Sequence, residues 1–363
     1  SEAYIVRSND SAHPWVVIFG NGYASTNGSA VLFVLDAATG TRIARIDTEV
    51  GSCNGLSTPV PVDVDMDNKV DYVYAGDLKG NLWKFEFKDT SADWDVAYSS
   101  GGTPQPLFQA TDASGNPQPI TAKPDVMYHC VPSMPGYMVV FGTGKYLGDT
   151  DFVDTQTQTI YGIWDFGDDA DDGAYLGTLD RATDALSNLA QEQVTLVEQT
   201  EIYDGQPGNS LYSLRVLSDN APNWIHPDGW ADLGADDPNP DAGWYFDLPI
   251  SKERVIRNFE IRDGKAILLT TIPKDSPCEA GGNSILMMMS ACSGGRVGDV
   301  NQSITVPDPE NPGEEITIQT PSQPQFDIDG DGDLDIDDLM DITIPDPAGG
   351  GGNITVTVPP SGV

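Results

Sequence analysis

Asp71-Tyr-Val-Tyr-Ala-Gly-Asp-Leu-Lys-Gly-Asn-Leu-Trp-Lys-Phe85 sets the fold class. Tyr, Val, Trp and Phe suit a pleated surface, while Asp and Gly gather in the middle, so the stretch predicts strand, tight turn, strand. Glycine supplies the positive φ that such turns need. The same unit lies upstream, where Trp15-Val-Val-Ile-Phe19 is stopped by Gly20-Asn21-Gly22 and Ala30-Val-Leu-Phe-Val-Leu35 by Asp36-Ala-Ala-Thr-Gly40. It returns downstream as Tyr137-Met-Val-Val-Phe-Gly-Thr-Gly144, then a longer loop, then Thr159-Ile-Tyr-Gly-Ile-Trp-Asp165. A fourth, more degenerate unit is read from 210–216, 244–248, 266–271 and 284–289. The first copies recur about every 55 to 65 residues, near the length of a four-stranded propeller blade with generous loops. The chain therefore reads as all-β: a β-propeller, partial or clipped, with about four legible blades and a calcium-binding C-terminal arm. A β-sandwich is the alternative for many short strands. Four blades cannot close a large ring, so others are expected before Ser1. Trp15, Trp83, Trp164 and Trp244 are expected to fill the spaces between blades.

Residues 1–297 are assigned to the blades, with a surface insertion at about 165–200. That insertion begins with the acidic Asp165-Phe-Gly-Asp-Asp-Ala-Asp-Asp172. It continues into 180–198, where an N-cap acid and the spacing of Leu186, Leu189 and Val194 predict one surface helix. Residues 298–326 read as a Pro-rich linker, 327–341 as a calcium loop, and 342–363 as a tail or closing segment.

Of 363 residues, 56 are acidic and 18 basic, for a net charge of −38. Asp supplies 44 of the acids, and Asp belongs in turns, caps and metal loops more than in helices. So negative a field repels phosphate backbones, which argues against nucleic-acid binding. No apolar run approaches the ~18 residues of a membrane span. The start at Ser1 without Met predicts a chain processed or excised from something longer.

Two aspartate ladders carry the chemistry. In Asp63-Val-Asp-Met-Asp-Asn-Lys-Val-Asp71, carboxylates stand at loop positions 1, 3, 5 and 9, and Lys69 is placed to offer its main-chain oxygen at position 7. A hard cation that takes six to eight oxygens fits this spacing. Asn68 occupies the place of the EF-hand glycine and tolerates the left-handed conformation. Strands flank the loop, so the expected site is strand–loop–strand; a solvated acidic turn is the bland alternative. In Asp327-Ile-Asp-Gly-Asp-Gly-Asp-Leu-Asp-Ile-Asp-Asp338, Asp327, Asp329, Asp331, Asp333, Asp335 and Asp338 match the EF-hand positions 1, 3, 5, 7, 9 and 12, with Gly332 at 6. Aspartate at the last position suggests a dockerin-like loop. The cofactor expectation is thus Ca²⁺ at two sites.

Cys53, Cys130, Cys278 and Cys292 include no CxxC, so zinc is a poor reading. The calcium ladders point outside the cell, where disulfides form. Cys278 with Cys292 is the expected pair, flanking a short strand-like stretch, and Cys53 with Cys130 follows by elimination only; free buried thiols in a cytosolic protein are the bland alternative. No GxSxG, HExxH, P-loop or dinucleotide fingerprint occurs, and His13, His129 and His226 stand apart from any evident nucleophile. The chain is not expected to be an enzyme, and no catalytic residue is assigned.

With these residues in view, the chain resembles the C-terminal β-propeller of the PilY1/PilC family of type IV pilus tip proteins. The resemblance rests on Val17-Ile-Phe-Gly-Asn-Gly-Tyr23, Val34-Leu-Asp-Ala-Ala-Thr-Gly40, Asn54-Gly-Leu-Ser-Thr-Pro59, the stretch from Asp71 to Phe85, Phe141-Gly-Thr-Gly-Lys-Tyr146 and Gly243-Trp-Tyr-Phe-Asp-Leu-Pro249. It implies a secreted or surface protein, exported through the periplasm and assembled with minor pilins at the pilus tip. It also implies roles in pilus extension against retraction, adhesion and surface sensing. The family's calcium loop falls on Asp63, Asp65, Asp67, the Lys69 carbonyl and Asp71, whereas the Arg-Gly-Asp of some members has no counterpart here. Two rival readings remain: a quinoprotein-type propeller dehydrogenase, which would want adjacent cysteines that this chain lacks, and an integrin-α-like adhesion propeller unrelated to pili.

Overall fold

The computed structural model describes residues 1–23, 28–167, 175–189, 193–205, 214–233, 238–258, 260–274, 282–297, 302–307, 315–320, 340–345 and 353–358. Strands β1 (Tyr4–Arg7), β2 (Trp15–Gly20), β3 (Val31–Asp36) and β4 (Arg42–Asp47) form an antiparallel meander in chain order. The second sheet holds β5 (Val60–Val62), β6 (Tyr72–Gly76), β7 (Asn81–Glu86) and β8 (Asp95–Val96). After a hairpin of β9 (Tyr98–Ser100) and β10 (Thr103–Gln105), β11 (Phe108–Gln109) returns to pair with β7. The third sheet starts with β12 (Asp125–Tyr128), β13 (Tyr137–Gly142) and β14 (Thr159–Asp165), and later gains β15 (Leu179–Asp180), β16 (Ala185–Leu186) and β17 (Thr195–Gln199). The hairpin β18 (Glu201–Gly205) and β19 (Leu214–Leu217) precedes β20 (Asp241–Asp247), which slots between β14 and β17. Finally β21 (Glu260–Arg262), β22 (Lys265–Pro273) and β23 (Gly282–Ser290) make a fourth sheet. Two short 3-10 turns are the helical elements among the described residues.

By contacts the chain divides into two units: residues 1–201 with 217–295, and residues 202–216 with 296–363. The four sheets belong to the first. The second contains the antiparallel hairpins β24 (Gln302–Pro307) with β25 (Glu315–Thr320) and β26 (Met340–Pro345) with β27 (Asn353–Val358). Asp327 to Asp338, the second ladder, lies outside the described residues.

The central strands of the second sheet explain why it reads so strongly. Every residue of β6 is buried, because neighbouring sheets cover both of its faces. Side chains alternate across a strand, and β6 divides its own accordingly. Val73 and Ala75 join Trp83 and Phe85 in a core with Val16, Ile18 and Leu32 of the first sheet. Tyr72 and Tyr74 join the core shared with Val139, Phe141 and Tyr161 of the third. The β6–β7 turn is fixed by Asp77, fully buried, which accepts from Lys79 N at 2.8 Å, Asn81 N at 3.0 Å and Trp83 Nε1 at 2.8 Å. Gly80 closes it at φ 78°, where a side chain would be strained.

Four expectations need correction. The segment 180–198 is no helix: β15 and β16 form a hairpin, and β17 runs parallel to β20. Asp180, read as an N-cap, instead accepts from Ala182 N at 2.9 Å and Thr183 Oγ1 at 3.1 Å, which closes a hairpin turn. Leu179, Leu186, Val194 and Leu196 are buried, so much of the supposed surface insertion belongs to the third sheet. The fourth unit also divides, since β20 with Trp244 pairs with β14 while β22 and β23 pair with each other. Among the tryptophans, Trp83, Trp164 and Trp244 are fully buried, but Trp15 is 52% exposed. Cys292 bonds to Cys130, with 5.8 Å between their Cα atoms across a sequence separation of 162, and not to Cys278, which lies outside the described residues. Local loop length favoured the wrong pair; β12 and β21 pack together, and this brings Cys130, just after β12, to the turn after β23. Among the described residues Cys53 has no disulfide partner, and it is exposed.

Candidate metal centre

The loop 63–71 joins β5 to β6, whose register pairs Val62 with Tyr72. A ladder of this kind puts the first and last acids of the loop side by side at its base, and the intervening chain must fold over them. It does so by entering the left-handed region at Met66 (φ 63°) and Asn68 (φ 67°). Asn68 was expected to do this; Met66 has no such preference, and such a conformation is held only where surrounding bonds over-determine it. Those bonds are visible. Asn68 N donates to Asp63 Oδ2 at 2.7 Å, Asp67 N to Asp65 Oδ1 at 3.1 Å, and Val64 N to Asp71 Oδ2 at 2.8 Å.

Asp63, Asp65 and Asp71 each bring one carboxylate oxygen to within 4.8 Å of the others, the one such group among the described residues. Two oxygens sharing an ion at 2.3–2.6 Å are at most about 5 Å apart, so the three are close enough to hold one calcium. A second observation tests the fit: Asp63 Oδ1 is buried and has no hydrogen-bond partner among the described residues. Leaving a carboxylate oxygen buried and unpaired is costly, and a hard cation relieves that cost. Asp67 stands apart from the three. Its carboxylate is paired with the Lys69 ammonium, and that hydrogen bond holds its pKa below the ordinary 3.8, with Arg7 contributing more weakly.

Two braces come from distant sequence, and no local spacing announces them. The Asn9 side-chain amide donates to Asp71 Oδ1 at 3.2 Å and to the carbonyls of Val70 and Phe87 at 3.1 and 3.3 Å. Tyr128 OH donates to Val64 O at 2.9 Å. A further polar cluster ties the second sheet to the third: Lys84 Nζ lies 2.8 Å from Asp165 Oδ2, both 1% exposed. Tyr74 OH and Tyr98 OH donate to the same carboxylate at 2.6 and 2.9 Å. Burial first, then the Asp165 charge, raises the Tyr74 pKa well above its ordinary value, so its hydroxyl remains a donor.

Fold and loop together define an all-β propeller that carries an acidic strand–loop–strand site. The PilY1 beta-propeller domain family matches residues 5–204. Type IV pilus biogenesis factor PilY1 of Pseudomonas aeruginosa PAO1 is 35% identical over 305 residues, covering 78% of this chain and 24% of that protein. A PilY1 homolog of Xylella fastidiosa Temecula1 is 35% identical over 318 residues, covering 82% of this chain and 19% of that protein. The crystal structure of the P. aeruginosa PilY1 C-terminal domain superposes with a TM-score of 0.65 at 30% identity, covering 82% of this chain and 59% of that one. The chain belongs to the PilY1 β-propeller family. It spans about a quarter or less of the length of the curated relatives it matches.

Proposed function

We propose that this chain is the calcium-binding propeller of a type IV pilus-associated tip adhesin and biogenesis factor, exposed at the cell surface and working with minor pilins. In this reading it supports pilus extension against retraction, adhesion and surface sensing, and acts by binding rather than by catalysis. Membership in the PilY1 family supports the pilus part. The buried Asp63 Oδ1, unpartnered among the described residues and beside Asp65 and Asp71, is the observation that carries the calcium part. Those three side chains would hold the ion, and calcium would supply a fixed positive charge that orders the β5–β6 connection. The ladder from Asp327 to Asp338 is proposed as a second calcium loop. Against the quinoprotein alternative, the chain has no adjacent cysteines. Among the described residues no helix is long and apolar enough to cross a membrane.

The test counts surface pili in cells carrying Asp65→Ala, with retraction intact and with retraction disabled, at low and high calcium. The expected result is a loss of calcium-dependent piliation only where retraction is intact, with the protein still exported and folded. Wild-type pilus numbers in all four conditions would remove the regulatory role and leave the loop a structural staple.

A further inference from the structure

Trp15 is the tryptophan that the core does not take. In the β1–β2 register it stands opposite Arg7, so the two side chains share one face of the first sheet. Ile5, 68% exposed, lies on that same face, about 7 Å from Arg7 along β1. Together with Val62, Asp63 and Lys69 of the metal loop and its entry, they line an open groove of about 480 Å³. β1 and β5, which contribute to its lining, are end strands of their sheets. A groove of this size can take a side chain or a short peptide segment, and Trp and Arg are two of the residue types enriched among binding anchors.

We infer that this groove docks an extended peptide segment bearing an apolar side chain and a carboxylate two residues apart. The apolar side chain rests on Ile5 and Trp15, and the carboxylate meets Arg7. Charge complementarity selects this occupant. The Arg7 guanidinium makes no hydrogen bond among the described residues, and it is a cation on a chain with 18 basic and 56 acidic residues. Alternate side chains of an extended segment face the same way at the 6.6–7 Å spacing that separates Ile5 from Arg7. A basic segment would meet Arg7 unfavourably, and an anionic lipid surface, with its many charges, would meet the field of the whole molecule, which salt screens from a single carboxylate beside Arg7. The regulation rests on the calcium reading above: Asp63 lines the groove, and calcium would neutralise two of the four carboxylate charges in its loop, so calcium strengthens docking of the acidic segment.

The test is calorimetry of the protein with a blocked synthetic peptide, Ala-Leu-Thr-Asp-Ala, and with its Lys-for-Asp counterpart, in calcium and in chelator, beside a titration with calcium alone. The Asp peptide should bind with a Kd below about 1 mM and the Lys peptide at least tenfold more weakly. Arg7→Ala should weaken the Asp peptide about fivefold, Trp15→Ala about tenfold or more, and chelation about threefold. Both side chains are exposed, and circular dichroism checks that each variant stays folded. Equal binding of the two peptides, or indifference to Trp15→Ala, overturns the inference. So does protection of Trp15 from hydroxyl radicals in the full-length protein without peptide, which would assign the groove to another part of the same molecule. If calcium binds but leaves peptide affinity unchanged, the coupling falls while the calcium reading stands. If calcium does not bind, the calcium reading falls, and the preference for Asp over Lys still decides the groove.

Discussion

Asp63 spends one carboxylate oxygen on Asn68 N and leaves the other buried without a partner among the described residues. An isosteric Asp63→Asn change therefore has two effects of opposite sign. Without calcium it relieves repulsion among the carboxylates of Asp63, Asp65 and Asp71, so the apo protein should melt at the same temperature or slightly higher. With calcium it removes a charged ligand, and affinity should fall about tenfold or more. Calorimetry and thermal melts in both conditions check this, and a variant that melts lower without calcium would contradict it. The shape of the first ladder was legible because it is local: its acids fall within nine residues, and Asn68 takes the left-handed conformation its residue type allows. Asn9 and Tyr128 were not legible, because their reach to the loop is created by the stacking of sheets and leaves no periodic trace.

At the scale of elements, strand–turn–strand units with both faces buried were read correctly, since unbroken apolar runs bounded by Asp and Gly have few other meanings. The stretch 180–198 failed for the converse reason. Leu186, Leu189 and Val194 fit a helical spacing, but tertiary pairing with β20 overrode it, and that partner lies some fifty residues on. What joins the second and third sheets was equally hidden, because Lys84 and Asp165 each look like surface residues in sequence. Breaking a buried pair strands the remaining charge, so Asp165→Asn should destabilise the protein by about 3–5 kcal/mol. Replacing both partners, as Lys84→Met with Asp165→Asn, should cost less than the single change, because no charge is then left buried without its partner and the Asn side-chain amide still hydrogen-bonds to the Tyr74 and Tyr98 hydroxyls. Urea unfolding of both variants makes the comparison, and a double variant less stable than the single one would contradict this account.

Over the whole molecule, two constraints act against a net charge of −38. One is covalent. The Cys130–Cys292 bond closes 162 residues, and in the chain-entropy model a loop of that size contributes about 5 kcal/mol by restricting the unfolded chain. Cys130→Ser should therefore lower denaturant stability by about 2–5 kcal/mol relative to the oxidised wild type, and the wild type with its disulfide reduced should behave like the variant. The other constraint is electrostatic. Self-repulsion among acids weakens the compact state and is screened by any salt, so sodium chloride should raise the melting temperature without specificity. Calcium at the β5–β6 loop would add a binding contribution of RT ln(1 + [Ca]/Kd), about 2.7 kcal/mol at a hundredfold excess over Kd. In a unit of about 280 residues that corresponds to roughly 5 °C. Magnesium at equal ionic strength supplies the same screening but demands a tighter octahedral shell and gives up its water reluctantly, so it should reproduce only the salt effect. Melts in calcium, magnesium and sodium at matched ionic strength separate the two contributions, and Asp71→Ala should abolish the calcium increment while leaving the salt response intact. Equal shifts in calcium and magnesium would mean that the loop is one more patch of a screened acidic surface, with no seat for a particular ion.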